Sequence, residues 1–137
     1  MDLHINWLAV ALAALSTMVV GTLWYRPKVM GNRWQALTGA DPNNPKSKVA
    51  AYLGSFIASV ITAIVLAGAT YVASQHFATP YLAAALLTAA LLWAGFTASR
   101  ILVHELFESR PIGIFFITAA YELVTVLVMA VIIGLLG

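Results

Sequence analysis

Two charged residues lie deep within long apolar runs of the sequence, and they are the first candidates for chemistry. Arg100 stands 11 positions before Pro111, and Glu122 stands 11 positions after it. If Pro111 marks the turn of a helical hairpin, both side chains lie at the same depth, roughly 10–15 Å from the turn. An isolated charge at that depth costs at least about 2.5–3.5 kcal/mol, so we expect the two to pair or to bind a ligand.

Helical spacing places further aromatic and ionisable side chains on the same face as Arg100. In this arrangement Arg100 would bind an anionic small molecule or lipid headgroup, while His104 and Glu122 would carry protons. The alternative is structural: a buried Arg100–Glu122 ion pair that fixes the register of the hairpin. The predicted ligand-binding set is Arg100, Glu122, His104, Trp93, Phe96 and Tyr121.

Several kinds of active site find no support in the sequence. The chain has no Cys, which excludes disulfides, thiolate metal sites and cysteine nucleophiles. It also lacks the motifs of phosphate-binding loops, zinc proteases and serine hydrolases. His4, His76 and His104 fall at different depths, so we expect no metal and no cofactor. The net charge of +2 is small, and we expect no nucleic-acid partner.

The candidate side chains would be positioned by helices that cross a membrane. The chain has 137 residues, of which 62% are hydrophobic and 9% are charged. A soluble domain has roughly 25% charged residues. About 20 apolar residues in a helix cross the hydrocarbon core of a bilayer. We predict an all-α membrane protein with one domain over residues 1–137 and four transmembrane helices at about 5–25, 49–73, 81–107 and 112–136.

The charge distribution predicts how these helices are oriented. Five of the 7 Lys and Arg residues lie between the first two runs, and the others flank the turn before the fourth. The positive-inside rule therefore places both loops in the cytoplasm and both termini outside, with the helices forming two hairpins. In the first loop, Met30, Trp34 and Leu37 share a helical face that Gly39 ends. This pattern predicts a short helix lying in the membrane interface.

Small residues recur at four-residue spacing in the second apolar run. One row is Ala51, Ser55, Ser59, Ala63 and Ala67, and a second is Gly54, Ala58 and Thr62. Such rows let helix backbones approach closely inside a membrane. The rows pack either within the chain or against a second copy, and we expect a homo-oligomer.

The sequence also resembles a known protein family. The likeness is carried by Gly21-Thr22-Leu23-Trp24-Tyr25-Arg26-Pro27 with Gly31 and Trp34, by Trp93-Ala94-Gly95-Phe96, by Phe107-Glu108-Ser109-Arg110-Pro111 and by Ala120-Tyr121-Glu122-Leu123. Over essentially the whole chain, it resembles a bacterial family of small four-helix membrane proteins catalogued as domain of unknown function 1761. The resemblance implies a multi-pass protein of the bacterial inner membrane and supplies no catalytic residue. It marks Trp24, Tyr25, Pro27, Gly31 and Trp34 as a candidate interface or structural corner.

Three functions are consistent with these patterns. The first is a non-enzymatic transport or ligand- or lipid-binding protein in the bilayer, with a polar Arg, Glu and His cluster in the cytoplasmic half. The second is a structural or accessory subunit that packs against another membrane protein, with Arg100–Glu122 as a structural ion pair. The third is a membrane enzyme, which would need a convergent acid–base set beside a bound substrate.

Overall fold

The computed structural model describes residues 3–39 and 45–137, and that part of the chain contains helices and no strands. Of the predicted first loop, residues 40–44 lie outside the described part. The π-helical segment Pro27–Gly31 precedes α2, and a second π-helical segment, Trp93–Ala98, joins α4 to α5. The α-helices are α1 (Trp7–Trp24), α2 (Asn32–Thr38), α3 (Pro45–Phe77), α4 (Tyr81–Leu92), α5 (Ser99–Phe107) and α6 (Ile112–Leu136).

Four helices of the described part are long and apolar enough to cross a membrane. They span Trp7–Trp24, Val49–Phe77, Tyr81–Phe107 and Ile112–Leu136. The predicted fold class, an all-α protein with four transmembrane helices, is confirmed, and the chain is a multi-pass membrane protein. The first loop contains the short helix α2, and its Leu37 side chain lies against Gly113 at the start of α6.

The four long helices form a bundle in which α1 and α4 each pack on both α3 and α6. Asn6 caps α1, because its side-chain oxygen accepts hydrogen bonds from the backbone N–H groups of Leu8 and Ala9 at 3.1 and 3.2 Å. The Asn6 amide also donates to the Leu136 carbonyl oxygen at 2.8 Å, which ties α1 to the last turn of α6. We call this end of the bundle the closed end. The opposite end, where α1 ends and α6 begins, is the open end.

The hydrophobic core lies towards the closed end and is built largely from alanine. Small side chains let the helices approach closely, which favours packing in a membrane. The approach of α4 to α6 is so close that a Cβ at Gly134 would lie 2.7 Å from the Cα of Leu82. The core consists of Ala9, Val10, Ala13, Ala63, Leu66, Ala67, Ala85, Ala89, Val126, Met129, Ala130 and Ile133.

Helix α3 is packed over only part of its length. The side chains from Val49 to Ser55 are all exposed, and a Cβ at Gly54 would meet open space. Helix α3 therefore diverges from the bundle towards the open end and leaves a cleft against α1 and α6. Its buried residues, among the side chains described, are Ala63, Leu66, Ala67, Thr70 and Ser74.

Candidate ligand-binding site

The predicted stripe of Trp93, Phe96, Arg100 and His104 is interrupted. Trp93 lies against the bundle, whereas the other three side chains face away from it. Phe96 is 77% exposed, and Arg100 and His104 are exposed as well. Within the described residues, no ion pair joins Arg100 to Glu122. The prediction of an Arg100–Glu122 ion pair is therefore corrected, and Arg100 and His104 do not share a cavity with Glu122.

The π-helical segment Trp93–Ala98 explains why Arg100 and His104 point outward while Trp93 does not. An α-helix turns by about 100° per residue, so a π-helical bulge with one extra residue rotates the following helix by about that angle. Trp93 precedes the rotation, is half-buried and donates its indole N–H to the Ala119 carbonyl oxygen at 2.8 Å. Arg100 follows the rotation and faces outward. Trp93 and Arg100 are seven residues apart, and in a regular α-helix they would lie on one face.

Glu105 is the acidic side chain that α5 turns inward. Its side chain is 8% exposed, and its Oε1 accepts a hydrogen bond from the Arg110 guanidinium at 3.2 Å. Glu108 approaches the same guanidinium from the surface at 3.7 Å. Regular α-helical spacing places Glu105 on a different face from Arg100, so the predicted ligand-binding set does not include this buried carboxylate.

The main polar cavity around Glu122 is a cleft between α1, α3 and α6, with a volume of about 200 Å³. Glu122 is half-buried in its wall and is the only Asp, Glu, Lys, Arg or His among its lining residues. Most of the other polar groups in the lining are hydroxyls. We call this cavity the hydroxyl cleft, and its polar lining comprises Thr17, Ser55, Ser59, Thr62, Tyr121, Glu122 and Thr125.

The hydrogen bonds of the hydroxyl cleft leave it rich in acceptors. Thr62 donates to the Ala58 carbonyl oxygen at 3.0 Å, and Thr125 donates to the Tyr121 carbonyl oxygen at 2.8 Å. A hydroxyl has one hydrogen and two lone pairs, so these threonines retain acceptor capacity once the hydrogen is used. The Glu122 carboxylate forms no ion pair within the described residues. A ligand in this cleft therefore meets oxygen acceptors and a single carboxylate.

Towards the open end, the hydroxyl cleft continues into a mouth cavity of about 500 Å³. The two cavities share Thr17, Ser55 and Tyr121 in their walls. Gly21 makes room for Tyr121, because a Cβ at Gly21 would lie 3.1 Å from the Tyr121 hydroxyl oxygen. Arg26 lines the rim of the mouth and is exposed. The mouth therefore combines aromatic hydroxyls with one positive charge.

The predicted corner lies beside this mouth. Tyr25 packs edge-on against Trp34, with ring centroids 5.5 Å apart, and at a tilt against Tyr121, at 5.2 Å. Burial raises the pKa of the Tyr25 phenol to about 12, and the neighbouring Tyr121 and Glu122 add to this shift. Tyr25 therefore remains a neutral hydroxyl at physiological pH.

The backbone of the corner is also closely packed. Pro27 begins the π-helical turn, and the Gly31 N–H donates to the Arg26 carbonyl oxygen at 2.9 Å. A Cβ at Gly31 would collide with the carbonyl oxygen of Tyr25. The indole N–H of Trp24 is buried and has no hydrogen-bond partner in the described part of the chain. The first of the segments that carry the family resemblance therefore contributes Gly21, Thr22, Tyr25 and Arg26 to the lining of the mouth, with Trp34 packed against Tyr25.

The predicted ligand-binding residues thus separate into three groups. Tyr121 and Glu122 line the hydroxyl cleft. Trp93 and Phe96 line a different cavity, an apolar groove of about 440 Å³ beside α3. Arg100 and His104 line neither of these cavities.

Sequence analysis did not identify the hydroxyls of Thr17, Ser55, Ser59, Thr62 and Thr125 as site residues. A signal was present in Ser55, Ser59 and Thr62, which follow one helical face at spacings of four and three. The same residues belong to the predicted packing rows, and small polar residues in membrane helices both pack closely and form hydrogen bonds, so their spacing alone does not identify a site.

Comparison with protein families gives a match to the family described as "Protein of unknown function (DUF1761)" over residues 8–134. The matched range includes the lining of the hydroxyl cleft and the corner beside its mouth. The comparisons with curated proteins and with solved structures give no match.

Proposed function

Because this chain belongs to the DUF1761 family, whose description gives no activity, we propose a function from the hydroxyl cleft itself. We propose that the protein binds a cationic group at Glu122 and moves it within the membrane. The observation that carries this proposal is the composition of the lining, in which Glu122 supplies the only carboxyl group among hydroxyls.

The lining favours a cation over the anion suggested by the sequence. Arg100 would have been the anion-binding group, and it is absent from the cleft. A carboxylate in a low-dielectric region attracts positive charge strongly. Tyr121 and Tyr25 line the entrance, and aromatic rings attract ammonium groups. An organic ammonium or a guanidinium is therefore the ligand class that we propose.

The shape of the bundle supports a transport role. The cleft opens through the mouth at one end, while the alanine-rich core blocks the other end. A site that opens towards one face of the membrane and is blocked towards the other corresponds to one state of an alternating-access carrier. In the other state, we propose, the exposed part of α3 from Val49 to Ser55 closes onto α1 and α6.

Binding of tetramethylammonium to the full chain in lipid nanodiscs, measured by calorimetry, tests this proposal. We expect Glu122→Gln to weaken binding about tenfold or more, equivalent to about 1.4 kcal/mol. Arg100→Gln is the matched control, because it removes a membrane charge outside the cleft, and it should bind as the wild type does. Equal binding by wild type and Glu122→Gln would contradict the proposal, as would preferential binding of benzoate that depends on Arg100.

A second candidate is a homo-oligomer or accessory subunit that docks through α3. In the predicted row of small residues, Ala63 and Ala67 are buried within the chain, whereas Ala51 and Ser55 are exposed. Gly54 on the same stretch faces open space. An exposed small-residue face inside a membrane suits a partner helix. Cross-linking and native mass spectrometry in lipid would reveal a second copy or another protein on this face.

A further inference from the structure

An apolar groove adjoins the hydroxyl cleft. Its walls come from α3, from α4 with the following π-helical segment, and from α6, and its volume is about 440 Å³. Thr62 and Val126 line both cavities, so the groove and the cleft meet at these two residues. Apart from them, the groove is lined mainly by apolar side chains such as Ile61, Val65 and Phe96.

We propose that the ligand is an amphiphile, with its cationic head at Glu122 and its aliphatic chain in the apolar groove. This inference rests on the proposed function, because it extends the ligand beyond the head that the hydroxyl cleft holds. The groove has more than twice the volume of the cleft, about 440 against 200 Å³. The groove therefore has room for an apolar part larger than the head.

The charges at the two entrances favour entry from the bilayer. The mouth has Arg26 on its rim, and this guanidinium repels an approaching cation. The groove has no charged residue in its lining. Phe96 and Ile61 stand at its edge and are 77% and 59% exposed, so they face the acyl chains of the membrane. An amphiphile dissolved in the bilayer reaches Glu122 along the groove without passing Arg26.

Two probes distinguish binding of the cationic head from binding of the aliphatic tail. Tetramethylammonium has only the head, and dodecyltrimethylammonium has both. Each is added to the full-length protein in phosphatidylcholine nanodiscs, the long-chain probe at a low ratio to lipid. Val65→Phe narrows the groove from a position that is 56% exposed and lies outside the cleft. Ile57→Phe is the matched control, since it adds the same ring to an exposed site of α3 that lines neither cavity. Ile61→Trp narrows the groove independently.

We expect Val65→Phe and Ile61→Trp to weaken dodecyltrimethylammonium binding about tenfold. They should leave tetramethylammonium binding unchanged, and Ile57→Phe should leave both probes unchanged. If the two groove variants bind the long-chain probe with the same affinity as Ile57→Phe, the aliphatic tail of the probe stays in bulk lipid and the amphiphile inference is wrong. Equal loss of both probes in the groove variants also overturns it.

The proposed function fails in a different way. It is overturned if Glu122→Gln binds tetramethylammonium as tightly as the wild type, whatever the groove variants do. A result in which Glu122→Gln loses both probes and the groove variants lose neither retains the proposed function and removes the amphiphile. The two proposals are therefore distinguished by one set of variants.

Discussion

The hydroxyl oxygens of Thr17 and Ser59 lie 2.9 Å apart and form a hydrogen bond between α1 and α3. This bond stands where α3 begins to leave the bundle, since Ala63 is buried one turn later and Ser55 is exposed one turn earlier. The Thr17 hydroxyl also lies 2.7 Å from the Ala14 carbonyl oxygen, which accepts its hydrogen bond. Thr17 and Ser59 thus join α1 to α3 in the wall of the hydroxyl cleft, which extends beyond them to Thr62 and Met129.

Removal of this bond should destabilise the bundle. We expect Thr17→Val and Ser59→Ala each to lower the free energy of unfolding in detergent, with a coupling of about 0.6 kcal/mol between them. A double-mutant cycle measures that coupling. Thr22→Val is the control, because the Thr22 hydroxyl bonds to the Met18 carbonyl oxygen of its own helix. Strictly additive effects of Thr17→Val and Ser59→Ala would show that the bond contributes nothing.

Two glycines should respond oppositely to substitution by alanine. Gly134→Ala forces a Cβ to within 2.7 Å of the Leu82 backbone and should destabilise by about 1–3 kcal/mol. Gly54→Ala meets open space and should stabilise α3 by up to about 1 kcal/mol. Thermal unfolding in detergent compares the two variants. A destabilised Gly54→Ala that also changes oligomer size would show that a partner helix covers this face.

The four membrane helices were predictable because their signal is strong and local. Each run is long, nearly free of charge and bounded by residues such as Pro80 and Pro111, which stand at the starts of α4 and α6. Because every backbone polar group must be satisfied in lipid, such runs have few alternatives to a helix. The short helix before Gly39 was predictable for a related reason, since Gly39 adopts the left-handed conformation that ends a helix.

The arrangement of side chains in the site was not predictable from spacing. The π-helical segment Trp93–Ala98 rotates α5, so that Arg100 faces outward and Glu105 faces inward. Nothing in the local sequence distinguishes that segment from an α-helix, because the difference is one backbone hydrogen-bond step. The divergence of α3 was also not predictable, since it depends on how several helices pack. Glu122 and Tyr121 belong to the predicted set and line the hydroxyl cleft, whereas the threonine and serine hydroxyls around them were not part of that set.

The orientation of the bundle remains a prediction from loop charges and is directly testable. The chain has no Cys, so a single introduced Cys is unique. Asn32→Cys and Gln75→Cys place exposed thiols near the open and closed ends, respectively. In intact cells, an impermeant thiol reagent should label Gln75→Cys and spare Asn32→Cys until the membrane is permeabilised. The reverse pattern would place the open end of the bundle outside.

The buried carboxylate of Glu105 should depend on Arg110. Their contact of 3.2 Å joins a side chain that is 8% exposed to one that is 38% exposed, so the pair is partly shielded from water. Loss of one partner of a fully buried pair costs about 3–5 kcal/mol, and we expect Arg110→Gln to cost somewhat less because Arg110 is partly exposed. Glu105→Gln combined with Arg110→Gln should cost less than the sum of the two single variants. Arg100→Gln is the control, because it removes an exposed charge from the same transmembrane helix. It should leave the free energy of unfolding in detergent unchanged. A loss equal to that of Arg110→Gln would contradict the outward orientation of Arg100.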